Sequence, residues 1–277
     1  MAECHTTIRQ QAHWTLRRCL PRLKVQAERD EIMGLRAYLG LMRSLVIYYN
    51  PVRRMASNRF HARLLRPGDL AFDIGAHVGS RSRAMRAAGA RVVACEPQEP
   101  FAGFLARSLP RDIVLRREAV GPAESMARMA VSSLHPTVSS LSTSFTGEAA
   151  SAPGFGHVRW DRSQEVRMTT MDRLIADHGL PDYVKIDVEG FELDVLAGLS
   201  QPLPMLSVEY LPGFRDRTLA VIDRLEALGE YRFNPVLGER ADLLWPEWQD
   251  AASARAFLAG LAPDAGSGDL YARLVSA

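Results

Sequence analysis

The segment from Asp73 to Ser80 has residue types and spacing that could bind a ligand. An apolar run precedes the segment and a helical pattern follows it, so the chain turns there between a strand and a helix. Gly75 and Gly79 permit a sharp turn and let the backbone approach a ligand at the helix N-terminus. Glu96 ends the next apolar run, 21 residues after Gly75. A carboxylate there could accept both hydroxyls of a ribose, which predicts a nucleoside-binding site.

The identity of the residues in this segment separates two kinds of cofactor. A dinucleotide site needs Gly-x-Gly-x-x-Gly, but His77 stands where the second glycine is required. Asp73 would repel a pyrophosphate and would attract an ammonium or a sulfonium group. S-adenosylmethionine has both of these groups and a ribose, so the segment favours it over a nicotinamide dinucleotide. A turn that binds no ligand, with Asp73 as a helix cap, is the structural alternative.

A second block, from Lys185 to Glu192, brings carboxylates to the end of another apolar run. Asp187 ends the run, Glu189 follows it, and Lys185 lies on the same face of the expected strand as Asp187. Asp187 and Glu189 could bind Mg²⁺ through oxygen ligands, or could raise each other's pKa until one acts as a general base. Lys185 could pair with either carboxylate or orient an acceptor oxygen. Glu192 is better explained as a cap of the next helix.

Four further side chains are candidates for a general base. His77 lies in the glycine segment, where a structural contact is the better explanation. His135 and His157 lie in a long segment, residues 121–168. This segment could fold over an acceptor and bring them to it, or the two histidines could be solvated. Glu209 ends a later apolar run and could bind the acceptor or serve the structure.

The elements that position these residues follow from an alternation of apolar runs and helical patterns after residue 67. This alternation predicts βαβ units and an α/β fold, whose parallel sheet is covered by helices on both faces. The predicted strands are 70–74, 91–95, 113–120, 183–187, 205–209, 231–236, 242–245 and 269–275, and the predicted helices are 80–88, 100–108, 191–199 and 216–228.

The chain divides at the turn sequence Arg66-Pro67-Gly68-Asp69. Residues 1–66 form a basic helical extension with 13 Lys+Arg and 4 Asp+Glu, and helices are predicted at about 8–24, 30–49 and 54–65. Residues 67–277, with 21 Lys+Arg and 28 Asp+Glu, form the catalytic domain. Its insertion at about 121–168 is rich in serine, threonine and small residues, which predicts a lid or binding loop.

Composition and charge exclude several classes of protein. The 277 residues are 47% hydrophobic and 24% charged, values that exclude a disordered or collagen-like chain. No apolar stretch approaches the roughly 18 residues of a spanning helix, so no membrane span is expected. Three cysteines and no visible secretory signal indicate a cytoplasmic protein.

The basic extension carries no Lys/Arg run with interleaved aromatic residues, so we do not expect nucleic acid as a partner. We expect the extension to dock instead on the acidic catalytic domain or on a second copy. The amphipathic helix at 30–49 would otherwise expose an apolar stripe, so a homo-oligomer through the N-terminal helices is one expectation.

The glycine segment, the Lys185–Glu192 block and several shorter segments together resemble the FkbM family of S-adenosylmethionine-dependent methyltransferases. The specific part is Lys-Ile-Asp-Val-Glu-Gly-Phe-Glu at 185–192, and the similarity covers about residues 67 to 275. The other matching segments are Asp73-Ile74-Gly75-Ala76-His77-Val78-Gly79, Glu96-Pro97, Thr170-Met171-Asp172-Arg173-Leu174 and Val208-Glu209. The sequence departs from the family at His77, commonly Asn, and at Ser80, commonly an aromatic residue.

The resemblance implies a Rossmann-like class I methyltransferase with a mostly parallel seven-stranded sheet and a reversed last strand. It also implies O-methylation of a hydroxyl in a small natural product, sugar or glycan, and cofactor contacts at Asp73, Gly75, Ala76, Gly79 and Glu96, with Glu118 and Ala119 near the adenine. From their positions in the sequence we add His77, Ser80 and Pro97 as cofactor-binding residues, and we expect Asp187, Glu189 and Lys185 to be catalytic in a biosynthetic pathway. A nicotinamide-dependent oxidoreductase and a non-catalytic cofactor-binding scaffold are the alternatives.

Overall fold

The computed structural model describes residues 38–149 and 156–275. Within these residues the strands are β1 (Leu70–Ile74), β2 (Arg91–Cys95), β3 (Ile113–Arg116), β4 (Ala119–Val120), β5 (Ser125–Val131), β6 (Arg162–Thr169), β7 (Tyr183–Ile186), β8 (Met205–Tyr210), β9 (Tyr231–Leu237) and β10 (Gly268–Leu274). The helices are α1 (38–48), α2 (Pro51–Leu64), α3 (Ser80–Ala87), α4 (Phe101–Ser108), α5 (Thr143–Ala149), α6 (Met171–His178), α7 (Glu192–Ala197), α8 (Arg215–Leu228) and α9 (Ala251–Gly260). No helix in these two stretches is long and apolar enough to cross a membrane.

The main sheet has seven strands in the order β3-β2-β1-β7-β8-β10-β9. The first five of these are parallel, and β10 runs antiparallel to both β8 and β9. This order confirms the class I methyltransferase topology and the reversed last strand. The chain leaves β1 toward β2 on one side and returns at β7 on the other. The carboxyl ends of β1 and β7 therefore border a crevice where ligands bind in open α/β sheets.

Burial on both faces explains why the central strands are almost continuously apolar. All five residues of β1 and all four residues of β7 are buried. Phe72 and Ile74 point into one apolar cluster, and Ala71 points into a second cluster on the other face of the sheet. Burying a side chain of the size of Phe72 contributes about 1.5–3 kcal/mol, so the central strands form a rigid platform beneath the crevice.

The insertion forms a second sheet, which corrects two expectations. The predicted strand at 113–120 is two strands, because the chain leaves the main sheet after β3 and β4 pairs with β6 instead. The predicted loop at 121–168 contains β5, α5 and most of β6, and the small sheet has the order β4-β6-β5. Its core is formed by Ala119, Met129, Val131 and Val166.

The predicted strand at 242–245 is wrong. These residues form bends beside β9. The Asn234 side-chain amide donates to the Trp245 carbonyl oxygen at 2.8 Å, and its oxygen accepts from the Trp245 backbone amide at 2.9 Å. A side chain therefore takes the place of ladder hydrogen bonds there. The other predicted helices and strands of the catalytic domain agree within one or two residues, and Asp187 lies just beyond β7.

The extension is described from residue 38 onward, so the helix predicted at 8–24 and the start of the one at 30–49 lie outside the described residues. The helix predicted at 54–65 begins earlier, at Pro51, because the Asn50 side chain accepts from the Val52 amide (2.9 Å) and caps it. Phe60 of α2 is buried against the catalytic domain, with its ring 5.5 Å from that of Tyr271. The described extension therefore docks on the catalytic domain.

Candidate active site

A cavity opens at the carboxyl ends of β1, β2, β3 and β7. It encloses about 730 Å³, open solvent at its mouth included. The predicted site residues that line it are Gly75, His77, Glu96, Pro97, Glu118, Ala119, Asp187 and Glu189. The other five, Asp73, Ala76, Gly79, Ser80 and Lys185, do not line its wall.

The loop after β1 is held against β2 by backbone hydrogen bonds. The amides of Gly75 and Ala76 both donate to the Cys95 carbonyl oxygen, at 3.0 Å each. Gly75 has a φ of +82°, and a Cβ built on it would lie 1.9 Å from the Asp187 carbonyl oxygen. Only glycine therefore fits between β1 and the end of β7.

Glu96 connects this loop to the cavity. Its carboxylate accepts the His77 amide at 2.7 Å and the Gln98 amide at 2.8 Å, one on each oxygen. Burial raises the pKa of Glu96 to about 8, although the two amide donors oppose the shift. Each oxygen keeps a second lone pair for a ligand hydroxyl, so this geometry fits the predicted ribose contact.

Asp73 lies beneath the loop, away from the cavity wall. The Ser82 hydroxyl donates to its Oδ2 at 2.5 Å, and its buried Oδ1 has no hydrogen-bond partner among the described residues. Burial raises the pKa of Asp73, and Lys185 and the Ser82 hydrogen bond oppose the rise. A contact between Asp73 and the methionine end of a cofactor stays a prediction.

The ring of His77 packs between two aromatic rings, 4.3 Å from Phe101 and 5.2 Å from Tyr48. His77 has a φ of +52°, a backbone conformation that is rare for residues other than glycine. Burial lowers its pKa to about 4, so the ring is neutral at physiological pH. These contacts agree with a structural role for His77.

A cluster of carboxylates lies at the other side of the cavity. Asp187, Glu189 and Glu209 each offer an oxygen, and these oxygens all lie within 4.8 Å of one another. Glu209 joins the pair that the sequence predicted because β8 lies next to β7. Burial raises the pKa of Glu189 well above its ordinary value, and the Glu209 and Asp187 charges add to the rise. Burial and the Asp187 charge also raise the pKa of Glu209.

Lys185 is the buried cation beneath this cluster. Its Nζ donates to Asp187 Oδ2 at 2.6 Å, which confirms the ion pair that the sequence left as one alternative. Burial favours the neutral form of Asp187, but the Lys185 ammonium outweighs it and lowers the pKa of that carboxyl. The cluster therefore combines an ionised carboxylate, Asp187, with two carboxyls that hold protons more tightly.

The turn that presents Glu189 is fixed by side chains. Glu189 has a φ of +53°, and its carbonyl oxygen accepts the Ser140 hydroxyl at 2.7 Å. Glu192 Oε1 accepts the amides of Val188 (3.2 Å) and Gly190 (3.1 Å). Glu192 was expected to cap its own helix, but its carboxylate instead closes the turn before α7.

The insertion packs directly on this turn. A Cβ on Gly190 would lie 2.7 Å from the Phe145 ring of α5. Arg217 of α8 donates to the Gly190 carbonyl oxygen at 3.2 Å, and to Ser144 and Glu148 of α5 at 3.1 Å each. Arg217 thus connects α8, the insertion and the turn.

The cavity includes residues that the sequence analysis missed. Thr137, Ser139 and Leu141 line it from the insertion, and Tyr48 lines it from α1. The candidate bases His135 and His157 have their rings 4.6 Å apart, but neither lines the cavity. The sequence could have indicated Tyr48 only through its place in an amphipathic helix, since nothing local shows that this helix packs on His77 of the glycine loop.

Comparisons with known proteins gave one family match and several structural neighbours. The methyltransferase FkbM domain matches residues 73–229. No curated protein sequence matches the chain.

Among solved structures, precorrin-6y C5,15-methyltransferase from Geobacter metallireducens GS-15 is 14% identical, with a TM-score of 0.41, over 79% of this chain and 87% of that one. An O-methyltransferase from Bacillus cereus in complex with SAH is 11% identical, with a TM-score of 0.40, over 85% and 90%. An rRNA methylase from Streptococcus thermophilus is 11% identical, with a TM-score of 0.39, over 79% and 95%.

Proposed function

The chain belongs to the FkbM family of S-adenosylmethionine-dependent methyltransferases, and we propose that it methylates a hydroxyl oxygen of a small natural product, sugar or glycan. The observation that carries this proposal is the cluster of Asp187, Glu189 and Glu209, of which Asp187 and Glu189 line the cavity, because methylation of a hydroxyl requires a base. Family membership leaves no support for the nicotinamide-dependent alternative.

The residues around the cavity fit the cofactor. Glu96 keeps two oxygen lone pairs toward the cavity for ribose hydroxyls, and Glu118 and Ala119 line the wall where the adenine would lie. Gly75 lines the cavity, where its backbone could approach a ligand without an intervening side chain. S-adenosylmethionine, when bound, supplies an electrophilic methyl group on a sulfonium.

The chain's own contribution is to align the acceptor and remove its proton. Asp187, ionised beside Lys185, accepts a hydrogen bond from the acceptor hydroxyl and orients it. Glu189, in its deprotonated form, takes the proton. Its raised pKa suits this role, because a carboxylate with a raised pKa is a stronger base than an ordinary one. Lys185 acts as a positioning residue for Asp187.

The walls of the acceptor site come from the insertion and from α1. Thr137, Ser139 and Leu141 face the cavity together with Tyr48, so in this proposal residues 121–168 cover the acceptor as a lid. A Mg²⁺ ion held by Asp187 and Glu189, with Glu209 as third ligand, is a variant of the same proposal. Turnover that survives EDTA would refute the metal variant and leave Glu189 as the base.

The test is transfer of a labelled methyl group to a panel of sugars, glycans and small hydroxyl compounds. We expect Asp187→Asn to reduce turnover by about 10²-fold or more, while S-adenosylhomocysteine affinity stays within about twofold of wild type. Glu165→Gln is the matched control, because Glu165 is exposed on β6 and does not line the cavity. Undiminished turnover in Asp187→Asn would overturn the catalytic role. A wild-type protein that binds S-adenosylhomocysteine but methylates nothing would favour the scaffold alternative.

A further inference from the structure

A second cavity lies beside the first, where α1 and α2 meet α3. It encloses about 570 Å³, open solvent included. Its charged lining residues are Arg53, Arg54, Arg81, Arg83 and Glu239, so four guanidinium groups face one carboxylate. We call it the arginine cavity.

Among the residues that the structure describes, most of this positive charge has no acidic partner. Arg81 pairs with Glu239 at 3.0 Å. Arg83 donates to neutral oxygens, the Tyr49 hydroxyl at 2.9 Å and the Ser108 carbonyl at 2.8 Å. Within the described residues, the guanidinium groups of Arg53 and Arg54 have neither a hydrogen-bond acceptor nor an ion pair.

The four arginines also stand near the positive ends of two helices. Arg53 and Arg54 lie in the first turn of α2, and Arg81 and Arg83 lie near the start of α3. Neither helix has an acidic residue in its first turn, and no side chain caps α3. Cations at a helix N-terminus are unfavourable, because the helix dipole is positive there. An anion in the cavity would offset the arginines and both helix ends.

The arginine cavity adjoins the candidate active site through one side chain. Tyr48 lines both cavities. Burial raises the pKa of the Tyr48 hydroxyl, and the charges of Glu239, Asp187 and Glu189 add to the rise. The shared lining residue shows that the two cavities are neighbours.

We propose that the arginine cavity binds a phosphate group of the methyl acceptor, while the acceptor hydroxyl lies at Asp187 and Glu189. The substrate class is then a phosphorylated hydroxyl compound. Guanidinium groups match phosphate oxygens in pairs, which suits Arg53 and Arg54 to this ligand. This inference rests on the proposed function for the place of the hydroxyl. The carboxylate of the cofactor's methionine is the other oxyanion that could occupy the arginine cavity.

The first experiment is calorimetric titration of the full chain with inorganic pyrophosphate. We expect Arg53→Ala/Arg54→Ala to weaken binding at least about tenfold, and added salt to weaken wild-type binding. The control is Arg59→Ala/Arg91→Ala, which removes the same charge from exposed positions that do not line the cavity. Equal pyrophosphate affinity in the two double variants, or no binding by wild type, would overturn the proposal.

The second experiment separates the two sources of the oxyanion. We expect S-adenosylhomocysteine and methylthioadenosine, which lacks the amino acid end, to bind Arg53→Ala/Arg54→Ala as they bind wild type. Selective loss of S-adenosylhomocysteine affinity would assign the arginine cavity to the cofactor and overturn the acceptor proposal. Failure of the proposed function would give a different result. Wild type would then show no methyl transfer, while the pyrophosphate titrations would be unchanged.

Discussion

At the scale of single residues, Glu96 serves both the glycine loop and the cavity. Its two oxygens fix the loop through the amides of His77 and Gln98, and they keep lone pairs for a ligand. Burial disfavours the charged form of Glu96 and raises its pKa to about 8. Hydroxyl donors on a bound ligand would stabilise the carboxylate and lower that pKa, so ligand binding and proton release should be coupled.

S-adenosylhomocysteine affinity should therefore rise with pH. The free Glu96 carboxyl holds its proton below about pH 8, and the bound form favours the carboxylate. Affinity should increase up to about tenfold per unit between pH 6 and 8 and level off above pH 8. Calorimetry across this range measures the effect. Glu96→Gln should bind more weakly, with a flatter profile, and an unchanged wild-type affinity from pH 6 to 9 would contradict the ribose role of Glu96.

Several contacts of single residues were predictable from the sequence. Lys185 and Asp187 alternate on one strand face, and the 2.6 Å ion pair confirms the pairing that this spacing allowed. Gly75 was predicted to let the backbone approach a ligand; the close neighbour in the structure is the Asp187 carbonyl oxygen, and the ligand contact stays a prediction. Glu209 was a candidate for the same site because it ends an apolar run. Its place within 4.8 Å of Asp187 and Glu189 also requires β8 to lie next to β7, and the local sequence of neither strand encodes that adjacency.

At the scale of elements, the turn between β7 and α7 depends on the insertion. Gly190 has a φ of +84° and lies against the Phe145 ring, while Ser140 and Arg217 hold the carbonyl oxygens on either side. These contacts hold Glu189 in a left-handed backbone conformation that costs about 1–3 kcal/mol. The insertion therefore contributes to the geometry of the carboxylate cluster as well as to the cavity wall.

Gly190→Ala should disturb this turn. The added Cβ would be strained at positive φ and would meet the Phe145 ring, so we expect a loss of about 2–4 kcal/mol in the free energy of unfolding. Thermal and denaturant unfolding measure this loss. Gly147→Ala is the matched control, since Gly147 lies in α5 with open space around it and should be neutral or slightly stabilised. Equal stabilities of the two variants would refute the packing of the insertion on the turn.

The small sheet of the insertion was not predictable from its sequence, for a physical reason. β5 and β6 bury only a few side chains, Met129, Val131 and Val166 among them, so neither strand has a strong apolar pattern. β4 has only two residues. The strands of the main sheet are buried on both faces and carry a far stronger signal.

At the scale of the whole molecule, the docking of the extension uses apolar contact more than charge. The sequence predicted that a basic extension would meet an acidic domain, and Arg63 of α2 does pair with Asp242 at 2.8 Å. Both side chains are largely exposed, so the pair contributes at most about 1 kcal/mol. Phe60 is 3% exposed and packs on Tyr271.

We therefore expect Phe60→Ala to lower the free energy of unfolding by about 3–5 kcal/mol. Arg63→Ala should lower it by less than about 1 kcal/mol. Chemical denaturation of both variants measures the difference. A larger loss in Arg63→Ala than in Phe60→Ala would mean that charge, not apolar burial, holds the extension in place.

The α/β architecture with a parallel sheet was predictable from the alternation of strands and helices alone. Only the family resemblance predicted the reversed last strand, because the direction of a strand within a sheet cannot be inferred from an apolar run. Tyr38, Leu39, Met42 and Val46 of α1 are exposed, and the expectation that a second copy covers the N-terminal helices stays a prediction.

Calorimetric titration of the full chain with S-adenosylhomocysteine, with NAD titrated in parallel, is the most direct test of cofactor binding by this chain. We expect one binding site for S-adenosylhomocysteine with a micromolar dissociation constant, and no binding of NAD. Binding of NAD, or a folded protein that does not bind S-adenosylhomocysteine, would contradict this expectation.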